Sequence, residues 1–227
     1  MNMSVKGILF DFDGLILDTE EPEYSAWKEI YKSYGAELPL LTWTACLGTS
    51  DKDFDVVDYL SQQTGMKLDA QILHARQHKR SMEMILPKPP LPGVVNYLQT
   101  AQALNLRIGL ASSSPRWWVV EHLSRLRLVS YFDCIVTQED VEEVKPDPAL
   151  YQRALKILKL QPEHAVAFED SPNGVRAAKA AGIFCVAVPN NISKHLDLSH
   201  ADLVISSMAD YSLEDIFQRK NWVHEPV

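Results

Sequence analysis

Two aspartates separated by a single residue close the first apolar run of the chain, in Phe10-Asp11-Phe12-Asp13-Gly14. Alternate side chains of a strand point the same way, so these carboxylates crowd one another unless a cation or a bound proton compensates. An acidic turn bent by Gly14 is the plain alternative. A calcium loop of the EF-hand type is excluded, because its glycine stands sixth and not fourth. A second acidic pair, Glu169-Asp170, follows the apolar run Ala165–Phe168. If the two runs are parallel neighbours, both pairs meet at one edge of a sheet. A hard divalent cation with oxygen ligands resolves that conflict, and Mg²⁺ fits because it works with one or two carboxylates, several waters and a phosphate.

Two further segments offer phosphate chemistry. Leu110-Ala111-Ser112-Ser113-Ser114 ends an apolar run with hydroxyls and backbone N–H groups, both competent donors to phosphate oxygens. Lys145-Pro146-Asp147-Pro148 places a lysine where the following proline restricts it to an extended conformation. A lysine so placed can neutralise a transferring phosphoryl group and hold a carboxylate nucleophile ionised.

The elements that must position these residues follow from the apolar pattern. Strand-like runs at Val5–Phe10, Arg107–Ala111, Cys134–Val136, Ala165–Phe168, Phe184–Val188 and Leu203–Ile205 are short and apolar, as buried parallel strands are. Helix-length amphipathic segments separate the later ones, which predicts an α/β fold with a doubly wound parallel sheet. About ninety residues part the first two strands, where a crossover needs only about a dozen. Helical patterns fill that interval at Glu23–Tyr34, Asp51–Thr64, Ala70–Leu86 and Val94–Ala103, and the first three predict an inserted helical domain. The cluster Lys88-Pro89-Pro90-Leu91-Pro92-Gly93 reads as its hinge. Ser114-Pro115, Asp147-Pro148 and Ser171-Pro172 each read as an N-cap residue with proline at the first helical position.

Composition narrows the classes. The chain has 227 residues, with 30 acidic against 22 basic side chains and a formal net charge of −8. That balance argues against a nucleic-acid or anionic-membrane surface, although placed cations or a metal still admit an anionic substrate. Cys46, Cys134 and Cys185 are widely spaced, so neither a disulfide framework nor a zinc site is expected, and a reducing, cytoplasmic setting fits. The first apolar run, interrupted by Lys6, is too short for a signal or a membrane span. His74 and His78 read as part of a solvated basic helix face. Trp27, Trp117 and Trp118 read as packing residues, and Glu139 to Glu143 as a solvated loop. Neither a P-loop nor a dinucleotide fingerprint is present. A signalling receiver domain predicts about half this length, with its acidic pair at the first strand; both expectations fail.

Taken in order, Asp11-x-Asp13-Gly14, Ser112, Lys145-Pro146 and Glu169-Asp170 resemble the haloacid dehalogenase superfamily of phosphotransferases, over Gly7 to about Met208. The stretches Phe10 to Glu20 and Phe168-Glu169-Asp170-Ser171-Pro172-Asn173-Gly174 look like its β-phosphoglucomutase and phosphoglycolate phosphatase branch. The resemblance implies a Rossmann-like core, residues 1–18 and 91–227, with a helical cap domain at 19–90. It implies that Asp11 attacks phosphorus and that Asp13 acts as general acid and base. Asp11, the backbone carbonyl of Asp13 and Asp170 hold Mg²⁺ in this reading, with Glu169 as an additional or more distant ligand. Ser112, Ser113 and Lys145 bind the phosphoryl oxygens. Asp13 separates the chain from dehalogenases and phosphonate-cleaving members, which lack that acid.

Substrate choice falls to the cap. Leu47-Gly48-Thr49-Ser50-Asp51-Lys52 resembles the loop that dips into the active site, making Gly48, Thr49 and Lys52, together with Glu23, candidate substrate residues. Sugar mutases carry an arginine in that loop and a histidine soon after the first motif; here Asp51 and Glu23 stand at those positions. The expected protein is therefore a Mg²⁺-dependent phosphatase acting on a small phosphomonoester such as a sugar phosphate. A sugar phosphomutase is the alternative, with Lys52 as partial substitute for the arginine, and a catalytically inactive binding module is the non-enzymatic one. The expected partner is a small phosphorylated metabolite, with no nucleic acid, membrane or obligate protein partner.

Overall fold

The computed structural model describes residues 5–47 and 54–223. Six strands form its sheet: β1 (Gly7–Phe10), β2 (Arg107–Ala111), β3 (Cys134–Val136), β4 (Ala165–Glu169), β5 (Phe184–Ala187) and β6 (Leu203–Val204). All neighbouring pairs are parallel, in the order β3-β2-β1-β4-β5-β6. The strands match the apolar runs to within one or two residues at their ends. The helices are α1 (Glu20–Ser33), α2 (Leu40–Leu47), α3 (Val56–Thr64), α4 (Ala70–Ile85), α5 (Val94–Ala103), α6 (Arg116–Arg125), α7 (Ala149–Leu158), α8 (Pro172–Ala180) and α9 (Leu213–Val223). The expected doubly wound α/β sheet is present.

Both sheet faces are covered, which is why its strands read as continuous apolar runs. Ile8 and Phe10 of β1 point into one core, with residues of α5, α6 and α9, whereas Leu9 points into the other, with α7 and α8. Phe168 sits at the centre of the first, stacked on Phe10 at 5.3 Å between ring centroids and edge-on to Tyr97 at 5.2 Å.

A third apolar cluster lies apart from the sheet. Trp27, Ile30 and Tyr31 of α1 meet Val57 and Leu60 of α3 and Leu73 of α4 there. The expected helix over Asp51–Thr64 begins at Val56, because the Asp55 carboxylate accepts from the N–H groups of Val57 and Asp58; residues 51–53 lie outside the described residues. Helix α1 starts three residues earlier than expected. Helix α2 was not expected at all, because its Leu-Leu-Thr-Trp-Thr-Ala-Cys-Leu run shows little of the apolar–polar alternation that betrays an amphipathic helix. The chain passes between the two regions twice, and the passages are tied together: Leu91 N–H donates to the Ile16 carbonyl at 2.8 Å, and Lys88 Nζ pairs with Asp18 at 2.7 Å.

Of the three Pro-marked helix starts, only Ser171-Pro172 behaves as read, its hydroxyl accepting from Gly174 N–H. Asp147 accepts from Ala149 N–H, but Pro148 itself occupies the cap position. Pro115 caps α6 without a side-chain bond, and Ser114 is committed elsewhere. Replacing Phe168 by alanine should lower the unfolding free energy by about 3–5 kcal/mol, read from the denaturant midpoint at unchanged slope.

Candidate active site

Strand register brings the acidic pairs together. Phe10 lies beside Phe168 across β1 and β4, so Asp11 emerges next to Glu169. Phe10 lies beside Leu110 on the other flank, so Ser112 follows one residue beyond the position matching Asp11. Strand order reverses at β1, where the chain winds first to β2 and β3 and later to β4, and open α/β sheets bind ligands at such a switch point.

One ammonium group sits among these acids. Lys145 Nζ lies 2.5 Å from Asp11 Oδ1 and 2.7 Å from Glu169 Oε1, with all three side chains nearly or fully buried. Burial alone would lower the Lys145 pKa, but the charges of Asp11 and Glu169 outweigh it and raise it. Burial and the Asp11 charge push the Glu169 carboxyl up, against Lys145 and the Tyr151 hydroxyl, which donates to Glu169 Oε1 at 2.6 Å. Asp170 is raised well above the carboxylate range by burial, then by the charges of Glu20, Asp11 and Glu169. Asn190 Nδ2 donates to Asp170 Oδ2 at 2.8 Å, to Glu20 Oε2 at 2.9 Å and to the Gly14 carbonyl at 3.1 Å.

This donor set fits a hard cation. Asp11, Glu169 and Asp170 each offer a carboxylate oxygen, all within 4.8 Å of one another. Asp170 Oδ1 is buried and has no hydrogen-bond partner among the described residues. Three buried carboxylates face one lysine, and a divalent ion with oxygen preference would supply the missing charge. Two glycines make room: a Cβ on Gly174 would stand 1.9 Å from Glu169 Oε2, and one on Gly14, at φ +73°, would stand 2.3 Å from Asp170 Oδ2.

Asp13 occupies a separate cage. Its Oδ1 accepts from Thr19 Oγ1 and Trp118 Nε1, each at 2.9 Å, and its Oδ2 lies 2.5 Å from Ser114 Oγ. Burial raises its pKa, while Ser114 and Trp118 pull it down. Trp118 is therefore more than the packing residue expected, since its indole N–H fixes the Asp13 carboxylate. His122, buried with neither ring nitrogen hydrogen-bonded among the described residues, lies edge-on to Trp118 at 4.3 Å. Ser112 is buried, and its Oγ accepts from Ser114 N–H at 3.0 Å; the Ser113 hydroxyl is buried without a partner among the described residues.

A cavity of about 320 Å³ opens beside Asp13, with Glu20, Glu23, Trp43, His78, Trp117 and Trp118 in its wall. Glu23 thus lines the cavity beside Asp13, whereas Gly48, Thr49 and Lys52 lie outside the described residues. His74 and His78 are exposed on α4, as the solvated-face reading expects, although His78 also lines this cavity and His74 packs edge-on to Trp27 at 5.1 Å. Glu139 and Asp140, read as a solvated loop, are exposed and form a short 3₁₀ turn that binds Arg116. Thr19, Glu20, Trp43, Ser114, Trp118, Tyr151 and Asn190 were absent from the expected site. The positions of Thr19 and Glu20, just after the first motif, were the available signal; the others are brought in only by tertiary folding. No described helix is long and apolar enough to cross a membrane.

This sheet, with its carboxylates and lysine at the switch point, is the arrangement of a haloacid dehalogenase-type fold. The chain belongs to the haloacid dehalogenase-like hydrolases, whose family model matches residues 8–188. It is 43% identical to the Bacillus subtilis (strain 168) protein named "Putative phosphatase YhcW" over 217 residues, 96% of this chain and 98% of that one. It is 32% identical to the "Phosphorylated carbohydrates phosphatase" of Thermotoga maritima, over 79% of this chain and 82% of that one. Among solved structures, CbbY from Rhodobacter sphaeroides in complex with phosphate superposes with a TM-score of 0.68 at 26% identity, covering 91% of this chain and 96% of that one. Family and relatives bear out the expected enzyme class, a phosphoric monoester hydrolase.

Two outcomes follow from the packing and charge. Gly174→Ala should drive a methyl group into the Glu169 carboxylate and cost activity with Mg²⁺ about tenfold or more, measured beside the circular dichroism that reports an intact fold. Burial, then the charges of Asp13 and Glu20, raise Glu23 from its ordinary value of 4.5 to about 8. The folded protein thus holds this proton more tightly than the unfolded chain does, and the stability it contributes is lost as pH rises from 4.5 through about 8. The thermal midpoint of Glu23→Gln, measured in EDTA, should therefore gain on that of the wild type between pH 5 and pH 8.5.

Proposed function

We propose that the protein hydrolyses small phosphomonoesters, sugar phosphates or similar metabolites, by way of a phosphorylated Asp11 with Mg²⁺ bound beside it. The observation that carries this reading is the convergence of Asp11, Glu169 and Asp170 around Lys145, with Asp13 caged two residues beyond the nucleophile. Asp11, Asp170 and the backbone carbonyl of Asp13 would hold Mg²⁺, with Glu169 as an additional or more distant ligand; the ion supplies charge neutralisation at the phosphoryl oxygens.

Lys145 fixes the rotation of the Asp11 carboxylate for attack on phosphorus and offers its positive charge to the phosphoryl oxygens. Ser112 and Ser113, at the end of β2, supply hydroxyl and backbone donors to the same oxygens. Asp13 protonates the departing alcohol, then takes a proton from the water that hydrolyses the acyl phosphate. Its Oδ2 holds that proton against Ser114 Oγ, which can donate to the carboxylate or accept from the carboxylic acid.

Residues 19–90 act in this reading as a cap over a core of residues 1–18 and 91–227, and the separate apolar cluster of α1, α3 and α4 supports that division. The paired crossings at Ile16–Leu91 and Asp18–Lys88 form its hinge, and opening there admits substrate while closure excludes water. Against a mutase reading stands the cavity itself, in whose wall no lysine or arginine is found among the described residues to hold a second phosphate.

Hydrolysis of p-nitrophenyl phosphate with Mg²⁺ should fall to background in EDTA and in Asp11→Asn. Asp13→Asn should lose about 10²–10⁴-fold. Equal, near-background rates in every sample would leave the fold as a binding module, and transfer of phosphate between sugar hydroxyls without release would make the enzyme a mutase.

A further inference from the structure

The cavity beside Asp13 has a charge imbalance that the hydrolytic reading leaves unexplained. The leaving alcohol must lie against Asp13, so this is where the organic part of the substrate sits. Its wall holds Asp13, Glu20 and Glu23 but neither lysine nor arginine among the described residues. Asp13 has its cage and Glu20 accepts from Asn190, whereas the Glu23 carboxylate has no hydrogen-bond or ion-pair partner among the described residues. Burial and its acidic neighbours disfavour the charged form of Glu23, and no described residue pairs with it.

Three of the chain's five tryptophans meet the same space. Trp117, 58% exposed, stands edge-on to Trp118 at 5.9 Å between ring centroids. Trp43 contributes a buried indole N–H with no partner among the described residues. Aromatic faces beside uncompensated carboxylates attract a desolvated organic cation by ring quadrupole and by Coulomb force together. A second phosphate or a carboxylate would meet the acids Asp13, Glu20 and Glu23, with His78 the sole lining residue among those described that can carry positive charge.

Resting on the phosphatase reading, we propose that this cavity selects phosphomonoesters whose alcohol carries a cationic nitrogen, a protonated amine or a quaternary ammonium group. Glu23 and Glu20 face the ammonium group, and Trp43, Trp117 and Trp118 flank its carbon substituents. The positive leaving group also offsets the surplus of negative charge that a phosphate dianion meets on entering beside Asp11 and Asp13.

Phosphocholine and 3,3-dimethylbutyl phosphate have the same shape and differ in the charge of the quaternary centre, so their kcat/KM ratio reads the selection directly. The wild type should prefer phosphocholine by about tenfold or more, and Glu23→Gln should shrink that ratio severalfold toward one. Phosphoglycolate, an anionic ester, should be the poorest of the three. Asp11-dependent turnover of p-nitrophenyl phosphate secures the phosphatase reading separately. On an enzyme active in that assay, a ratio at or below one, hydrolysis of neither ester, or a ratio untouched by Glu23→Gln overturns the inference alone. An enzyme inert toward p-nitrophenyl phosphate overturns both readings.

Discussion

Three carboxylates buried at the ends of two neighbouring strands, with one lysine among them, set the terms for the rest of this molecule. Removing ionised carboxylates from water costs several kcal/mol each unless charge and hydrogen bonds are returned. Lys145 returns one charge, to Asp11 and Glu169. Tyr151 and Asn190 return hydrogen bonds, to Glu169 and Asp170 respectively. Gly14 and Gly174 keep side chains out of the space that the carboxylates occupy. What remains is an Asp170 oxygen without a donor and a surplus of negative charge, which is a physical description of a cation site. The acidic character of the whole chain therefore has a local meaning, because a phosphate can enter only where that surplus has been reversed.

Asp13 is handled differently, and the difference matches the proton transfer proposed for it. Asp11 is held by a fixed cation, as suits the proposed nucleophile. Asp13 is held by a hydroxyl pair and an indole, of which Ser114 can serve on either side of a proton. The Trp118 that fixes Asp13 also forms part of the wall of the cavity proposed to take the leaving group. In the proposed reaction, acid catalysis and recognition of the alcohol thus share a side chain.

The sheet and its chemistry were legible from the sequence because both rest on local pattern. Short apolar runs gave the strands, and acids or serines directly after them lay at a single edge once the strands proved parallel. The second layer of the site was not legible. Trp118 is one turn into an apolar helix and looks like core until folding brings its indole N–H to Asp13. Ser114, read as a helix cap, points across the site instead. Asn190 and Tyr151 stand alone in sequence, with no neighbouring acid to mark them. Helix α2 escaped notice because its mostly apolar run lacks a clear polar face, yet it carries Trp43 to the cavity.

Thermal unfolding with and without Mg²⁺ tests the dependence on a metal most directly. The wild type should unfold at a higher temperature in Mg²⁺ than in EDTA, as binding to the folded state alone requires. Asp170→Asn, which lacks the buried carboxyl, should at least match the wild type in EDTA and gain nothing from Mg²⁺. A wild-type midpoint indifferent to Mg²⁺, or an Asp170→Asn protein that responds as the wild type does, would contradict a metal held by these carboxylates.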